Sequence, residues 1–135
     1  MIKQYIIEGE PHPQGRPRFS KYSGAYKDSK SRAYEKKGAT MLRAQGAKPT
    51  DKPVKLDITF IKPFLKSWSK KKVAEATKNT LYAPRRPDLD NYIKSVLDFS
   101  NGLLFDDDGQ VVELQARKVY GEEAKTIIEI KELEE

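Results

Sequence analysis

The sequence predicts an α+β fold in which helices pack on one mixed β-sheet. Short segments rich in β-branched and aromatic residues alternate with longer amphipathic segments, in the order β, α, β, α, α, β, β. The chain of 135 residues has room for one hydrophobic core, so we expect a single domain over residues 1–135.

The N-terminal part is predicted to contain a strand, a loop and a basic helix. Residues 2–8 are β-branched and aromatic, as in a strand. Three prolines and two glycines in residues 9–18 predict an extended loop, from which Arg16 and Arg18 project. Apolar residues at helical spacing over residues 30–45, with Lys and Arg between them, predict a basic amphipathic helix.

In the middle of the chain the sequence predicts a second strand and a short helix. Apolar residues alternate from Val54 to Phe60, ahead of Pro63, which is the period of a half-buried strand. Residues 69–79 are expected to form an exposed helix with Ser69 as its N-cap. Three lysines follow this cap and oppose the helix dipole, so we expect this segment to become ordered only against an anionic partner.

The third predicted helix spans residues 88–100 and ends at Asn101-Gly102, a common C-terminal cap. Asp90, Lys94 and Asp98 follow one another at intervals of four residues, so they share one face of this helix. The remaining predicted strands cover residues 110–120 and 125–133.

Charge is segregated along the chain, although the net charge is only +6. Residues 14–48 carry ten Lys or Arg and two acids, and residues 62–86 carry eight and one. Residues 87–135 carry five bases and thirteen acids. A basic surface beside an acidic centre suits a polyanion that is held by its phosphates while a metal ion acts on one of them.

Several classes of protein are excluded by what the sequence lacks. There is no cysteine, which excludes disulfides and thiolate metal sites. The sequence has neither a signal-type N-terminal run nor an apolar stretch of about eighteen residues. We therefore expect a cytoplasmic protein with no membrane contact and no small-molecule cofactor.

Two clusters of carboxylates lie in this basic chain, Asp88 with Asp90 and then the run Asp106, Asp107 and Asp108. If folding brings the clusters to about 4 Å, each carboxylate pair repels by roughly 4 kcal/mol at an effective dielectric constant near 20. Protonation, pairing with lysine or a divalent cation would offset this repulsion. Hard oxygen ligands favour Mg²⁺, with Mn²⁺ as a possible substitute.

These residues suit the hydrolysis of a phosphodiester, which needs an activated water, charge neutralisation at phosphorus and a stabilised leaving oxygen. Asp88, Asp90 and either Asp107 or Asp108 would supply the metal ligands. Lys94 would orient the attacking water or stabilise negative charge. A structural interpretation stays open, with Asp88 as an N-cap, Asp90 and Lys94 as a surface pair, and the aspartate run as a turn.

The order of these residues is similar to that of a known family. Pro87-Asp88-Leu89-Asp90-Asn91-Tyr92-Ile93-Lys94, followed by Asp107-Asp108-Gly109-Gln110-Val111-Val112, resembles the RusA family of Holliday junction resolvases, including members carried by prophages. The loop of residues 15–18 and the segments 68–72 and 118–121 also look like phage-type members.

The resemblance implies a small homodimeric, Mg²⁺-dependent endonuclease that cuts symmetrically related strands of a four-way DNA junction. By motif position it implies catalytic metal ligands at Asp88, Asp90 and Asp108, with Asp107 as the adjacent acid. It places the catalytic lysine at Lys94. A dimer with two-fold symmetry would present two equivalent sites to a nearly two-fold substrate.

Arginines and lysines from the basic segments, together with one from a later strand, are the candidates for contacts with DNA phosphates. They are Arg16, Arg18, Lys70, Lys71, Lys72, Arg85, Arg86 and Lys118. Trp68 or Phe64 is a candidate for stacking on an unpaired base, with packing as the favoured interpretation of Trp68.

Three other functions are compatible with the sequence. The first is a nuclease that prefers flaps or other branched DNA. The second is a branched-DNA-binding protein without catalysis, whose acids form only a structural ion site or a turn. The third is a binding module for an acidic protein partner.

Overall fold

The structure is a computed structural model that describes residues 2–14, 18–20, 24–26 and 28–134. Its elements, in chain order, are β1 (Ile2–Glu8), β2 (Arg18–Ser20), β3 (Gly24–Tyr26), α1 (Ser29–Ala44), β4 (Val54–Pro63), α2 (Lys70–Lys78), α3 (Leu89–Ser100), a 3₁₀ helix (Asp108–Gln110), β5 (Val111–Gly121) and β6 (Lys125–Glu132). The α+β prediction is confirmed, and each predicted helix and strand is present. None of the described helices combines the length and the apolarity that crossing a membrane requires.

One pair of strands was not predicted. β2 and β3 form a separate two-stranded sheet in which Arg18 pairs with Tyr26. Strands of three residues are too short to show a period-two pattern, so the sequence gives little sign of them. The loop predicted for residues 9–18 is confirmed for residues 9–14, whereas Arg18 opens β2 and residues 15–17 lie outside the described residues.

The main sheet has four strands in the order β1-β6-β4-β5. β4 is parallel to β5 and antiparallel to β6, so it lies between the last two strands of the chain. β5 is therefore an edge strand. Among the described residues its outer side carries one isolated bridge, from Tyr82 to Val119.

One face of this sheet carries the core. Along β4, alternate residues from Val54 to Phe60 are no more than 1% exposed. Helices α1 and α3 belong to the same core, which includes Leu42 of α1 and Tyr92 of α3. Tyr92 stacks on Phe60 with 5.1 Å between ring centroids. The two helices approach each other closely at Gly38, where an added Cβ would lie 2.7 Å from the ring of Phe99.

Helix α3 runs antiparallel to β4 and β5. Its first turn lies beside Phe60, near the C-terminal end of β4. The segment after its last turn lies ahead of β4, where the Thr50 N–H donates to the Leu104 carbonyl at 3.3 Å. The N-terminus of α3 is therefore near the C-terminal ends of the parallel pair β4–β5, which is where ligand sites commonly form in parallel sheets.

Helix α2 lies against the same end of β5. Trp68, just before this helix, packs on Tyr120 and on Phe64, with ring centroids 4.7 and 5.6 Å away. Ser69 is the N-cap, as predicted, because its Oγ accepts a hydrogen bond from the Lys72 N–H at 3.2 Å. The aromatic contacts agree with packing as the role of Trp68.

Candidate active site

Both aspartates of the first acidic cluster lie at the N-terminus of α3. Asp88 occupies the N-cap position, but its side chain makes no capping hydrogen bond. Its main-chain carbonyl accepts instead from the N–H groups of Asn91 and Tyr92, at 3.2 and 3.4 Å. Asp90 lies in the first turn, and both aspartates are exposed. The carboxylates are thus placed at the positive end of the helix dipole, and a capping role for the Asp88 side chain is not supported.

Lys94, one turn after Asp90, is held by the next acid along the same helix face. Its Nζ donates to Asp98 Oδ1 at 2.7 Å in an (i, i+4) ion pair. The Lys94 side chain is 57% exposed and the Asp98 side chain only 11%. The ammonium group therefore points along α3 toward Asp98, and one side of it faces solvent.

Gln14 ties the N-terminal loop to this helix face. Its main-chain N–H donates to the Asn91 carbonyl at 3.0 Å. Its side-chain Nε2 donates to Asp98 Oδ2 at 2.7 Å and to Glu35 Oε1 at 2.8 Å. Asp98 is consequently shared between Lys94 and the loop that leads to the predicted DNA-binding arginines.

The second acidic cluster forms the turn that begins β5. The Asp107 carboxylate accepts from the Gly109 N–H at 2.9 Å, while the Asp107 N–H donates to Gln110 Oε1 at 2.9 Å. Gln110 Nε2 in turn donates to the carbonyls of Thr50 and Lys52, at 2.8 and 2.9 Å. Asp107 is therefore engaged in the turn, as the structural interpretation of this run expected.

Asp108 is half-buried and, like Asp88 and Asp90, makes no side-chain hydrogen bond to any described residue. The 3₁₀ helix that contains it contacts α3. Over the part of the chain that the structure describes, however, no three Asp, Glu, His or Cys side chains are close enough to hold one metal ion. The first cluster lies at the N-terminus of α3 and the second follows its C-terminus, so a helix of twelve residues, about 18 Å long, separates them within one chain.

The donor set fits a hard divalent cation in its chemistry. Asp88, Asp90 and Asp108 offer carboxylate oxygens, which are the ligands that Mg²⁺ prefers, and none of the three is committed to another hydrogen bond among the described residues. The structure brings Asp88 and Asp90 to one helix end. It does not gather a third acid with them.

Comparison with known proteins identifies the family of this chain. Residues 8–131 match the family described as Endodeoxyribonuclease RusA. The chain belongs to the RusA family. The resemblance drawn from the aspartate pattern is thereby confirmed.

Two relatives span almost the whole chain. An uncharacterized protein YqaN of Bacillus subtilis (strain 168) is 37% identical over 136 aligned residues, which cover 96% of each chain. A crossover junction endodeoxyribonuclease rusA of Lactococcus phage r1t is 30% identical over 143 aligned residues, again 96% of each chain.

Most of the predicted DNA-binding cations that the structure describes lie around the N-terminus of α3 in this RusA-family fold. Lys70 and Lys71 are exposed in the first turn of α2, and Lys72 Nζ lies 4.8 Å from the centroid of the Trp68 ring. The loop before Asp88 exposes two arginines, Arg85 and Arg86. Arg16 lies outside the described residues, and the side chain of Arg18 is not described.

Lys118 is placed differently from the other cations. It is half-buried, and its Nζ donates to the carbonyls of Arg85 and Pro87 at 2.9 and 2.7 Å. Lys62, which the sequence did not single out, donates to the Arg86 carbonyl at 3.2 Å. Two of the three N–H donors of Lys118 are thus used inside the protein.

Sequence reasoning also missed Gln14, and the reason is distance along the chain. The side chain of Gln14 binds Asp98, 84 residues later. Lys62 binds a carbonyl 24 residues away. Neither residue belongs to a local pattern, so only the fold reveals its role.

Tyr92 is a buried residue in the first turn of α3, next to the candidate active site. Burial raises the pKa of Tyr92 to about 12, with smaller contributions from the negative charge of Glu10 and from Tyr34. The ring is 1% exposed and packs on Phe60. Tyr92 therefore stays neutral near neutral pH and anchors the first turn of α3 to the sheet.

Proposed function

We propose that this protein is a Mg²⁺-dependent endodeoxyribonuclease that resolves four-way DNA junctions by paired hydrolysis of phosphodiester bonds. One observation carries the proposal. Asp88 and Asp90 lie together at the N-terminus of α3 in a RusA-family chain, and neither carboxylate has a hydrogen-bond partner among the described residues. Two neighbouring carboxylates without hydrogen-bond partners repel each other, and a bound divalent cation would offset that repulsion.

In this mechanism Asp88 and Asp90 would hold the cation at the N-terminus of α3, and Asp108 of the partner subunit in the proposed homodimer would join them, because a helix length separates these acids within one chain. Asp107 shapes the turn beside Asp108. Bound there, Mg²⁺ would activate a water molecule and neutralise charge at the phosphorus. Lys94 would orient the attacking water or stabilise the charge that develops on the phosphate, because its ammonium is partly exposed on the same helix face.

Cations around the same end of the sheet would hold the DNA. Those with exposed side chains are Lys70, Lys71, Lys72, Arg85 and Arg86. Arg16 and Arg18, which the sequence predicts as phosphate contacts, belong to the same proposal. Phosphate contacts of this kind position the duplex without reading its sequence.

The four-way junction as substrate is supported by the phage relative, which is named a crossover junction endodeoxyribonuclease. Resolving a junction requires two cuts, and a homodimer provides two sites related by a two-fold axis. Light scattering should then give a mass twice that of the 15.4 kDa chain. A monomeric mass at working concentrations would contradict the dimer.

The activity is tested with four-way, three-way and linear DNA of matched sequence, with Mg²⁺ and with EDTA. We expect paired cuts in the four-way junction that EDTA abolishes. Asp90→Asn should bind the junction as tightly as the wild type or more tightly, but should not cut it, because it removes a ligand and a charge that repels phosphate. Glu123→Gln, an exposed acid in the β5–β6 turn, is the matched control and should cut normally.

Each other outcome selects a different function. Preferred cutting of the three-way DNA would identify a nuclease for flaps or other branched DNA. Junction binding without any cutting would identify a non-catalytic binding protein. Cutting in EDTA, or undiminished cutting by Asp90→Asn, would refute the proposed metal site.

A further inference from the structure

Three consecutive main-chain carbonyls in the loop before α3 each bind a lysine. Lys118 Nζ donates to the carbonyls of Arg85 and Pro87, at 2.9 and 2.7 Å. Lys62 Nζ donates to the Arg86 carbonyl between them, at 3.2 Å. The first aspartate of the candidate active site follows immediately in the sequence.

The main-chain carbonyls of this loop have no hydrogen-bond partners of the kind that a helix or a strand provides. Residues 84–87 form neither helix nor strand, and the prolines at both ends lack an N–H. Their carbonyl groups therefore need donors from elsewhere in the fold or from water. An ammonium group supplies up to three donors and a full charge, and hydrogen bonds from charged donors are roughly twice as strong as neutral ones.

Lys118 reaches the loop from the sheet. In β5 it is in register with Phe60 of β4, which stacks on Tyr92 of α3. Lys118 therefore belongs to the sheet face that carries α3, and its half-buried side chain ends under the loop that enters this helix. A shift of the loop would displace Asp88, since Pro87 is its direct neighbour.

A direct contact with DNA phosphate is the simpler role for a lysine near an active site. The hydrogen bonds of Lys118 argue against it, because two of its three donors are used by carbonyls. Arg85 and Arg86 have exposed side chains while their carbonyls are bound. The loop thus directs its arginines outward and its backbone toward the lysines.

We infer that Lys118 is a positioning residue of the active site, which fixes the loop at Arg85 and Pro87 and thereby holds Asp88 in place beside Asp90. Lys62 supports the same loop from β4. The link to metal binding rests on the proposed function, whereas the ordering of the loop does not. Partners that orient ligand residues typically change metal affinity about 10- to 100-fold when they are removed.

The test compares Lys118→Met, Lys118→Arg and the control Lys131→Met, which removes an exposed lysine of β6. Amide hydrogen exchange of residues 88–92 reports loop and helix-end order without any need for activity. The Mg²⁺ concentration for half-maximal junction cleavage reports the metal site. Junction affinity in EDTA reports phosphate contacts.

In Lys118→Met we expect exchange of residues 88–92 to accelerate about tenfold while β4 amides stay protected, and the Mg²⁺ midpoint to rise by about tenfold. Junction affinity in EDTA should stay within about twofold. Arginine keeps the charge and several donors, so Lys118→Arg should recover most of both effects. If Lys118→Met fails to fold, Lys62→Met, which loses one longer hydrogen bond, should show the same changes at smaller size.

Wild-type exchange in Lys118→Met would overturn the inference. So would a loss of junction affinity in EDTA with an unchanged Mg²⁺ midpoint, because that result would make Lys118 a phosphate contact. A wild-type protein that does not cut DNA would refute the proposed function, and the exchange measurement would still decide whether Lys118 orders the loop.

Discussion

Lys94 Nζ donates to Asp98 Oδ1 at 2.7 Å, and the other Asp98 oxygen accepts from Gln14 Nε2 at the same distance. One carboxylate, only 11% exposed, thus joins the proposed catalytic lysine to the N-terminal loop. Side chains four residues apart on a helix are natural neighbours. The third partner, Gln14, fixes the Asp98 carboxylate and so limits where the Lys94 ammonium can lie.

Removing the charge of Asp98 should impair cutting more than binding. We expect Asp98→Asn to lower the single-turnover cleavage rate about tenfold, and Lys94→Met to lower it about 100-fold or more, because one loses the orientation of the ammonium and the other loses the group itself. Junction affinity in EDTA should change little in Asp98→Asn. A wild-type cleavage rate in that variant would show that Lys94 needs no partner.

A third carboxylate beside Glu35 and Asp98 should destabilise the fold. Gln14→Glu replaces the donating amide by an acceptor, so we expect a loss of roughly 2 kcal/mol in the free energy of unfolding at pH 7. Urea unfolding of the variant and the wild type measures this loss. Gln115→Glu, at an exposed position of β5, is the control. Equal stability of the two variants would contradict the role of Gln14.

The lysines of α2 should contribute to the salt dependence of junction binding. Each phosphate contact adds about 0.9 to the slope of log affinity against log salt concentration, so Lys70→Gln and Lys71→Gln should each reduce the slope by about that amount. Lys118→Gln should leave the slope unchanged, since its ammonium binds carbonyls. Unchanged slopes in the α2 variants would show that these lysines do not contact DNA phosphates.

The close approach of α1 and α3 should make Gly38 intolerant of even a methyl group. Alanine is intrinsically better than glycine in a helix by about 1 kcal/mol. Its Cβ would nevertheless lie 2.7 Å from the Phe99 ring, so Gly38→Ala should destabilise the protein by about 1–3 kcal/mol in urea unfolding. Adding Phe99→Leu should recover part of the loss. Stabilisation by the single variant would contradict this packing.

Alkaline pH should weaken the fold through Tyr92. Its pKa is raised from 10.0 to about 12, so the unfolded chain ionises first and the folded state loses relative stability as pH rises from 10 to 12. Two pKa units correspond to roughly 3 kcal/mol at most. Burial also raises the pKa of Tyr5 and Tyr34, so Tyr92→Phe should reduce only part of the loss. If the free energy of unfolding depended on pH in the same way in the wild type and in Tyr92→Phe, this contribution of Tyr92 would be contradicted.

The larger elements of the fold were predictable because they carry strong local patterns. The alternation in β4, the Ser69 cap and the Asn101-Gly102 stop are all visible in the sequence, and the structure has each of them. The insertion of β4 between β5 and β6 could not be predicted, because strand order depends on contacts between distant segments. The strands β2 and β3, of three residues each, were too short to give a pattern.

The candidate site was predictable only in part. The family motif and the helix spacing located Asp88 and Asp90 at the start of α3 and Lys94 and Asp98 on one of its faces, but they gave no sign that Gln14 binds Asp98 as well. Lys118 was identified for its charge, whereas the fold uses that charge on the backbone of the loop. Hydrogen bonds of this type depend on tertiary packing and leave no spacing signal.

The most direct test of the central claim is a Mn²⁺ titration followed by electron paramagnetic resonance on the wild type and on single Asp→Asn variants. The account predicts one class of site that is weakened in Asp90→Asn and in Asp108→Asn and is retained in Asp106→Asn, which changes an exposed neighbour. If Asp107→Asn and Asp108→Asn both bound Mn²⁺ as tightly as the wild type, that result would contradict the claim that the two acidic clusters share an ion.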